Sequence, residues 1–272
     1  MTQNIPNFIY GTAWKEAATT HLVELALKSG FVAIDTANQA KHYSEALVGE
    51  ALLKSIDSGN ISRDKIWLQS KFTSINGQDH RLPYDANASL TEQLQQSFAS
   101  SLKHLHTNYL DSYLLHGPYN FPLLGEEDFE IWKALEELYS SGAVKSIGIS
   151  NVNLRQLKML VEKADILPMM VQNRCYANQL WDKEIREFCR SHNIKYQAFS
   201  LLTANPQILH NKIIAKIAQK YQASPAQIIF RFASQIGMIP LTGTSNKEHM
   251  KQDLAIFNFT LSDGEIELIF SC

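Results

Sequence analysis

The sequence has little of what marks secreted, membrane-spanning or disulfide-bonded proteins. Its three cysteines, Cys175, Cys189 and Cys272, are far apart, so they indicate neither a disulfide framework nor a zinc site. No apolar run reaches the roughly 18 residues that a membrane-spanning helix needs. Residues 1–6 contain no positive region followed by an apolar run. We therefore expect a cytoplasmic protein with reduced thiols and no membrane partner.

An excess of charge of one sign is also missing. The 25 lysines and arginines nearly balance the 27 aspartates and glutamates, for a net charge of -2. This balance argues against charge-driven binding to nucleic acids or anionic membranes. With 272 residues, 45% of them hydrophobic, the chain can bury a full core. A small molecule is the expected partner, and a monomer is the expected state.

Short apolar runs alternate with longer amphipathic segments, without a linker or a low-complexity stretch. The apolar runs predict eight buried strands, at residues 8–13, 31–37, 66–72, 110–116, 144–150, 169–172, 196–200 and 238–241. The amphipathic segments predict helices, among them 20–28, 86–105, 129–139, 154–164, 182–189, 207–219 and 225–235. Eight strand–helix units in about 250 residues predict an α/β protein with a (β/α)₈ TIM barrel, a single domain over residues 1–272.

The alternative architecture is a doubly wound parallel sheet, which needs a glycine-rich phosphate turn after its first strand. Residues 8–14 contain a single glycine, Gly11, and no G-x-G-x-x-G motif occurs in the sequence. The barrel is therefore preferred. Active sites in this fold lie at the carboxyl ends of the strands.

The last residues of the predicted strands carry chemistry. They are Asp35, Lys71, His116, Ser150, Asn151, Gln172, Phe199 and Ser200. A lysine at a strand end is usually a solvated cation, and a lone histidine after an apolar run is usually a satisfied core or loop residue. Their joint placement on one rim favours a catalytic site.

Taken in order, these motifs resemble the aldo-keto reductases. The matching segments are 11–14, 34–37, 70–71, 114–118, 148–151, 171–173 and 239–240, and the resemblance extends from about residue 5 to about residue 270. It implies the (β/α)₈ barrel and NADPH-dependent reduction of an aldehyde or ketone. It also implies that the catalytic tetrad falls on Asp35, Tyr43, Lys71 and His116.

The chemistry of carbonyl reduction explains these four residue types. Hydride addition leaves an alkoxide, which needs a proton as its charge develops. A free tyrosine, with a pKa of about 10, is a weak acid at neutral pH. The ammonium of Lys71 would stabilise the phenolate of Tyr43, and Asp35 would keep Lys71 charged and oriented. His116 would hydrogen-bond the substrate oxygen.

The loop at 38–42 is longer than in most members of the family. The next tyrosine therefore comes eight residues after the aspartate, whereas five is usual. Lys41 and His42 belong to this loop and are alternative groups that could lie near the substrate. We assign Tyr43 as the proton donor because Glu45 and Gly49 resemble the residues after the family's tyrosine.

The resemblance further implies a dinucleotide site. The cofactor-binding residues that it indicates are Thr12, Ser150, Asn151, Gln172, Phe199, Ser200, Leu202, Thr242, Gly243, Thr244, Lys247, His249, Gln252 and Asp253. Three of them, Ser150, Asn151 and Gln172, match the positions that hold the nicotinamide carboxamide, and Phe199 stands where a ring stacks on the nicotinamide.

Cofactor choice depends on the segment after the last predicted strand. Leu241 replaces the lysine that usually pairs with the 2′-phosphate, and His249 stands where an arginine is common. A weakly charged pair reduces discrimination between NADPH and NADH. Lys247 lies in the same turn and supplies a cation. NADPH is the expected cofactor, and NADH is the alternative.

Trp14 and His116 are the expected substrate-binding residues. The chain ends soon after its last predicted helix, as in family members with a short C-terminus, so we expect an open substrate site. A cofactor-binding regulatory subunit of the same fold is the alternative function, although all four tetrad residue types favour an enzyme. A metal-dependent barrel enzyme would need more histidines or carboxylates at the rim, and Lys71 would repel the cation. No metal site is expected.

Overall fold

Parallel strands close into a barrel in the structure, a computed structural model that describes residues 5–272. Within that range each strand pairs with the next in the chain, and the last pairs with the first. The strands are β1 (Ile9–Gly11), β2 (Ala33–Asp35), β3 (Trp67–Phe72), β4 (Ser112–Leu115), β5 (Ile147–Ser150), β6 (Met170–Arg174), β7 (Lys195–Phe199) and β8 (Met238–Thr242). Every predicted strand segment overlaps one of them, and the predicted (β/α)₈ fold is confirmed.

Helices alternate with the strands along the chain. They are α1 (Thr19–Ser29), α2 (Glu45–Asp57), α3 (Leu90–His104), α4 (Glu126–Ser140), α5 (Leu154–Lys163), α6 (Lys183–Ser191), α7 (Pro206–Leu209), α8 (Lys212–Tyr221), α9 (Pro225–Gln235), α10 (Lys247–Leu254) and α11 (Asp263–Phe270). No helix within residues 5–272 has the length and apolar character needed to cross a membrane.

Side-chain caps explain where two of the helices differ from their predicted bounds. Helix α3 begins at Leu90 rather than near residue 86, because Ser89 and Glu92 form a reciprocal capping box at its start. The predicted helix 207–219 is in fact two helices, α7 and α8. The side chain of Asn211 accepts a hydrogen bond from the backbone N–H of Ile213, which starts a new helix there.

The inside of the barrel carries an apolar layer that includes the first residues of β1, β2, β3 and β6. Its buried members are Ile9, Ala33, Trp67, Leu114, Met170, Ile239 and Leu241. Each large apolar side chain buried in this way contributes roughly 1.5–3 kcal/mol to stability.

Alternation along the strands places a polar layer above this apolar one. Residues two apart in a strand face the same side. The residues two positions after Ala33, Trp67 and Met170 are Asp35, Gln69 and Gln172, all three buried. The interior therefore becomes polar toward the carboxyl ends of the strands, where this fold carries its chemistry.

Candidate active site

A buried ion pair joins β2 and β3 at the centre of the site. The Nζ atom of Lys71 lies 2.6 and 2.8 Å from the two carboxylate oxygens of Asp35, and 2.8 Å from the carbonyl oxygen of Thr36. Lys71 is 0% exposed and Asp35 is 3% exposed. Burial lowers the pKa of Lys71, and the adjacent Asp35 carboxylate opposes that shift. Since an ammonium has three N–H donors, all of them are used here, and Lys71 acts on other neighbours through its charge.

The ring of Tyr43 lies beside this ion pair. Its centre is 5.4 Å from Nζ of Lys71 and 5.8 Å from the ring centre of His116, with the two rings edge to face. Burial raises the pKa of the Tyr43 phenol well above its usual value, and the Asp35 carboxylate raises it further. A phenol in this position releases its proton only with help from a neighbouring positive charge.

The two other candidate groups of the long loop make different contacts. Lys41 is exposed, and the ring of His42 packs on the indole of Trp14 with 4.0 Å between ring centres. Trp14 itself is 68% exposed, and its backbone N–H donates to the carbonyl oxygen of His42. Trp14, His42 and Tyr43 all line a cleft of about 410 Å³. The ring of Tyr43, the residue directly after this loop, is the one that lies beside Lys71 and His116.

His116 follows β4 and is held by a residue that sequence reasoning missed. Its Nδ1 lies 2.6 Å from Oγ1 of Thr73, which follows β3. Burial lowers the pKa of His116 to about 3, and Lys71 adds to this shift. The ring is therefore neutral near pH 7. When the Thr73 hydroxyl donates to Nδ1, the single ring proton lies on Nε2, the nitrogen left for a substrate oxygen.

Three buried glutamines, Gln69, Gln172 and Gln197, form a hydrogen-bonded group that we call the glutamine cluster. Nε2 of Gln69 and Nε2 of Gln172 each donate to Oδ1 of Asp35, at 2.7 and 3.1 Å, and to Oε1 of Gln197, at 2.8 and 2.9 Å. Nε2 of Gln197 donates back to Oε1 of Gln69 at 3.1 Å. Sequence reasoning missed Gln69 and Gln197, although strand alternation two residues before Lys71 and Phe199 places both inside the barrel.

The predicted nicotinamide-binding residues meet around β5 and β6. The Ser150 hydroxyl donates to the carbonyl oxygen of Gln172 at 2.6 Å, and Nδ2 of Asn151 donates to the carbonyl oxygen of His116 at 2.8 Å. Ser150 is buried, whereas Asn151 is exposed and has a φ of 55°. The structure thus brings Ser150, Asn151 and Gln172 into one group that contacts His116.

Other predicted cofactor residues lie on both sides of this group. Phe199 ends β7 with a half-buried ring, and Ser200 follows it with a φ of 58°, while Leu202 is also half-buried. Thr12 is buried after β1, and its hydroxyl donates to the carbonyl oxygen of Asp35 at 2.9 Å. The Thr12 side chain therefore anchors the backbone of β2 in this structure.

The segment from β8 to α10 forms the far end of the predicted dinucleotide site. Thr242 and Asp253 are buried. Burial raises the pKa of the Asp253 carboxyl to about 7, and the Thr242 hydroxyl opposes this shift by lowering that pKa. The hydroxyl of Tyr10 donates to the carbonyl oxygen of Thr244 at 3.0 Å.

Positive charge at this end comes from two different positions. Lys247, the first residue of α10, is exposed, as are His249 and Gln252. Lys15, which sequence reasoning missed, reaches across from the loop after β1 and donates to the carbonyl oxygen of Gly243. Leu241 belongs to the apolar layer inside the barrel, with 7% of its surface exposed.

Comparison with known proteins shows a consistent likeness along the chain. The sequence model of the aldo/keto reductase family matches residues 9–272. The chain is 34% identical over 247 residues to the uncharacterized oxidoreductase YtbE of Bacillus subtilis, covering 91% of this chain and 81% of that protein. It is 31% identical over 251 residues to glyoxal reductase of Bacillus subtilis, covering 92% and 82% of the two chains. A solved aldo-keto reductase from a Medee basin deep-sea metagenome library superposes with a TM-score of 0.84 at 28% identity, covering 99% of this chain and 92% of that one.

Proposed function

The chain belongs to the aldo/keto reductase family, which makes it an NAD(P)H-dependent oxidoreductase, and we propose that it reduces aldehydes or ketones to alcohols with Tyr43 as the general acid. The observation that carries this proposal is the position of the Tyr43 ring, whose centre lies 5.4 Å from the Lys71 ammonium and 5.8 Å from the centre of the His116 ring. An acid, a buried cation and a neutral imidazole at the carboxyl ends of barrel strands suit carbonyl reduction.

The residues around the rim fit a nicotinamide dinucleotide. The Gln172 side-chain oxygen accepts no hydrogen bond from residues 5–272 and is not fully enclosed, so it is open to a carboxamide N–H. The half-buried ring of Phe199 offers a face for stacking. When bound, the reduced nicotinamide supplies the hydride. We assign NADPH as the cofactor because Lys247, exposed at the start of α10, offers a cation to its 2′-phosphate.

The protein's own groups move the proton. The Tyr43 hydroxyl donates to the carbonyl oxygen of the substrate as negative charge develops there. The resulting phenolate is stabilised by the charge of Lys71, which Asp35 holds in place. His116 donates from Nε2 to the same oxygen and orients it. Without Lys71, burial alone would make the phenol a poor acid.

An absorbance assay tests the proposed function. Purified protein is mixed with NADPH or NADH and a panel of aldehydes, ketones and dicarbonyls, and loss of the reduced-nicotinamide absorbance is followed. Glyoxal belongs in the panel because one relative is named for its reduction. We expect carbonyl-dependent oxidation, faster with NADPH than with NADH. Failure of every carbonyl to consume either cofactor would contradict the reaction, and a preference for NADH would contradict only the cofactor assignment.

Thr73→Val tests the orientation of His116. Valine keeps the shape of threonine but removes the hydroxyl that contacts Nδ1 at 2.6 Å. We expect kcat to fall roughly tenfold, the effect of about one hydrogen bond, with little change in KM for NADPH. Because the pKa of His116 is about 3, the loss should be the same across neutral pH. Thr73→Ser keeps the hydroxyl and should restore kcat; an equal loss in both variants would show that the hydroxyl has no such role.

A further inference from the structure

The glutamine cluster lies directly beneath the residues that the proposed reaction uses. Resting on that proposed function, we propose that Gln69 and Gln197 are positioning residues. They fix the amide of Gln172 so that its side-chain oxygen accepts a hydrogen bond from the N–H₂ group of the nicotinamide carboxamide. Neither residue touches the reacting atoms, and both act through Gln172.

The first step of the argument is the nature of Asp35. A carboxylate paired with an ammonium accepts hydrogen bonds and donates none. Gln69 and Gln172 must therefore turn their Nε2 atoms, and not their oxygens, toward Oδ1 of Asp35. The ion pair with Lys71 at 2.6 and 2.8 Å thus decides which way two amides point.

The second step is the reciprocal pair formed by Gln197 and Gln69. Oε1 of Gln197 accepts the remaining proton of Gln69 and the remaining proton of Gln172, at 2.8 and 2.9 Å. The return bond from Gln197 to Gln69 holds Gln197 in that orientation. Turning the Gln172 amide over would set its oxygen against two other oxygens in a buried site. Gln69 and Gln197 are 0% exposed, and Gln172 is 3% exposed, so water does not relieve that repulsion.

The third step is the atom that remains. Both Gln172 amide protons are used, and its Oε1 is the atom of this side chain left without a partner among residues 5–272. A lone acceptor selects a ligand with a donor. The carboxamide has N–H donors, whereas a methyl ketone at the same position of the ring has none.

A cofactor analogue provides the test. We compare the dissociation constants of NADPH and its reduced 3-acetylpyridine analogue, in which the carboxamide N–H₂ is a methyl group, by fluorescence titration. The wild-type protein should bind the analogue roughly tenfold more weakly, the value of one hydrogen bond. In Gln197→Met the ratio of the two constants should fall to within about twofold of one. A purely structural role would weaken both ligands equally and leave the ratio unchanged.

Two further variants keep the test decisive. Gln69→Met removes the reciprocal partner of Gln197 and should also lower the ratio of the two dissociation constants. It provides the same test if Gln197→Met does not fold. Gln93→Met removes a buried glutamine of α3 whose side chain donates to backbone carbonyls away from the cluster, and it should match the wild-type protein.

The outcomes separate this inference from the proposed function. A wild-type protein that reduces carbonyls with NADPH but does not discriminate against the analogue overturns the inference alone. So does a full ratio retained in both methionine variants of the cluster. A wild-type protein that fails to oxidise NADPH or NADH with any carbonyl of the panel overturns the proposed function instead.

Discussion

Tyr43→Phe should lower kcat by roughly 10²–10⁴-fold, the contribution of a positioned general acid, and leave the dissociation constant of NADPH nearly unchanged. The variant keeps the ring that packs edge to face with His116 and removes only the hydroxyl. We expect no group of the 38–42 loop to replace it, because His42 packs on Trp14 and Lys41 is exposed. Steady-state kinetics and a fluorescence titration of NADPH measure the two quantities separately.

Tyr113→Phe is the matched control for this substitution. Tyr113 lies in β4 and is fully buried. Its hydroxyl donates a hydrogen bond to the hydroxyl of Ser97 in α3. It should change kcat less than twofold, since one hydroxyl distant from the site is lost. A normal kcat in Tyr43→Phe would remove Tyr43 from the mechanism. Weakened NADPH binding in that variant would instead indicate a role in holding the cofactor.

Lys71→Met should damage both stability and catalysis. It leaves the Asp35 carboxylate buried without its cation, and breaking a buried pair in this way costs about 3–5 kcal/mol. The phenol of Tyr43 would then be buried next to the negative charge of Asp35, without a compensating cation. Burial and this negative charge both raise its pKa. We therefore expect kcat to fall roughly 10²–10⁴-fold. Urea unfolding gives the free energy of unfolding, and the absorbance assay gives kcat.

Lys145→Met separates this result from the general loss of a lysine. Lys145 also pairs with a buried carboxylate, Asp111, but its own side chain is 45% exposed and Asp111 keeps Arg63 at 2.9 Å. Exposed pairs contribute about 0–1 kcal/mol, so this control should lose little stability and no activity. Equal destabilisation in the two variants would mean that the Asp35 ion pair has no special role in the barrel.

The positions that the sequence predicted well depend on local pattern. Asp35 and His116 come at the end of apolar runs, and the ends of parallel strands share one rim whatever the outer helices do. Ser224 before Pro225 predicts the start of α9, where the structure has a complete capping box. Such features depend on neighbours in the chain, which a single sequence displays.

The positions that it missed depend on contacts across the barrel. Gln69 and Gln197 lie in β3 and β7, strands that do not pair, and their hydrogen bonds join residues 128 apart in the chain. Within an apolar run a glutamine gives no sign of its partner. Thr73 was missed for the same reason, since its contact with His116 depends on how β3 and β4 end side by side. The family motif indicated only which residue Leu241 replaces. Its position inside the barrel depends on which residues of β8 point inward, and the motif spacing does not show this.

The apolar layer inside the barrel also affects how water is excluded from the site. Ile9, Ala33, Trp67 and Met170 are each the first residue of a strand, and together they close the floor of the barrel. Solvent therefore does not reach the ion pair through this floor. A molecule bound over Tyr43 closes the open end of the site. Because it excludes bulk water, it lowers the local dielectric constant around Lys71. The pull of that cation on the phenol is thereby strongest at the moment a reactant is in place.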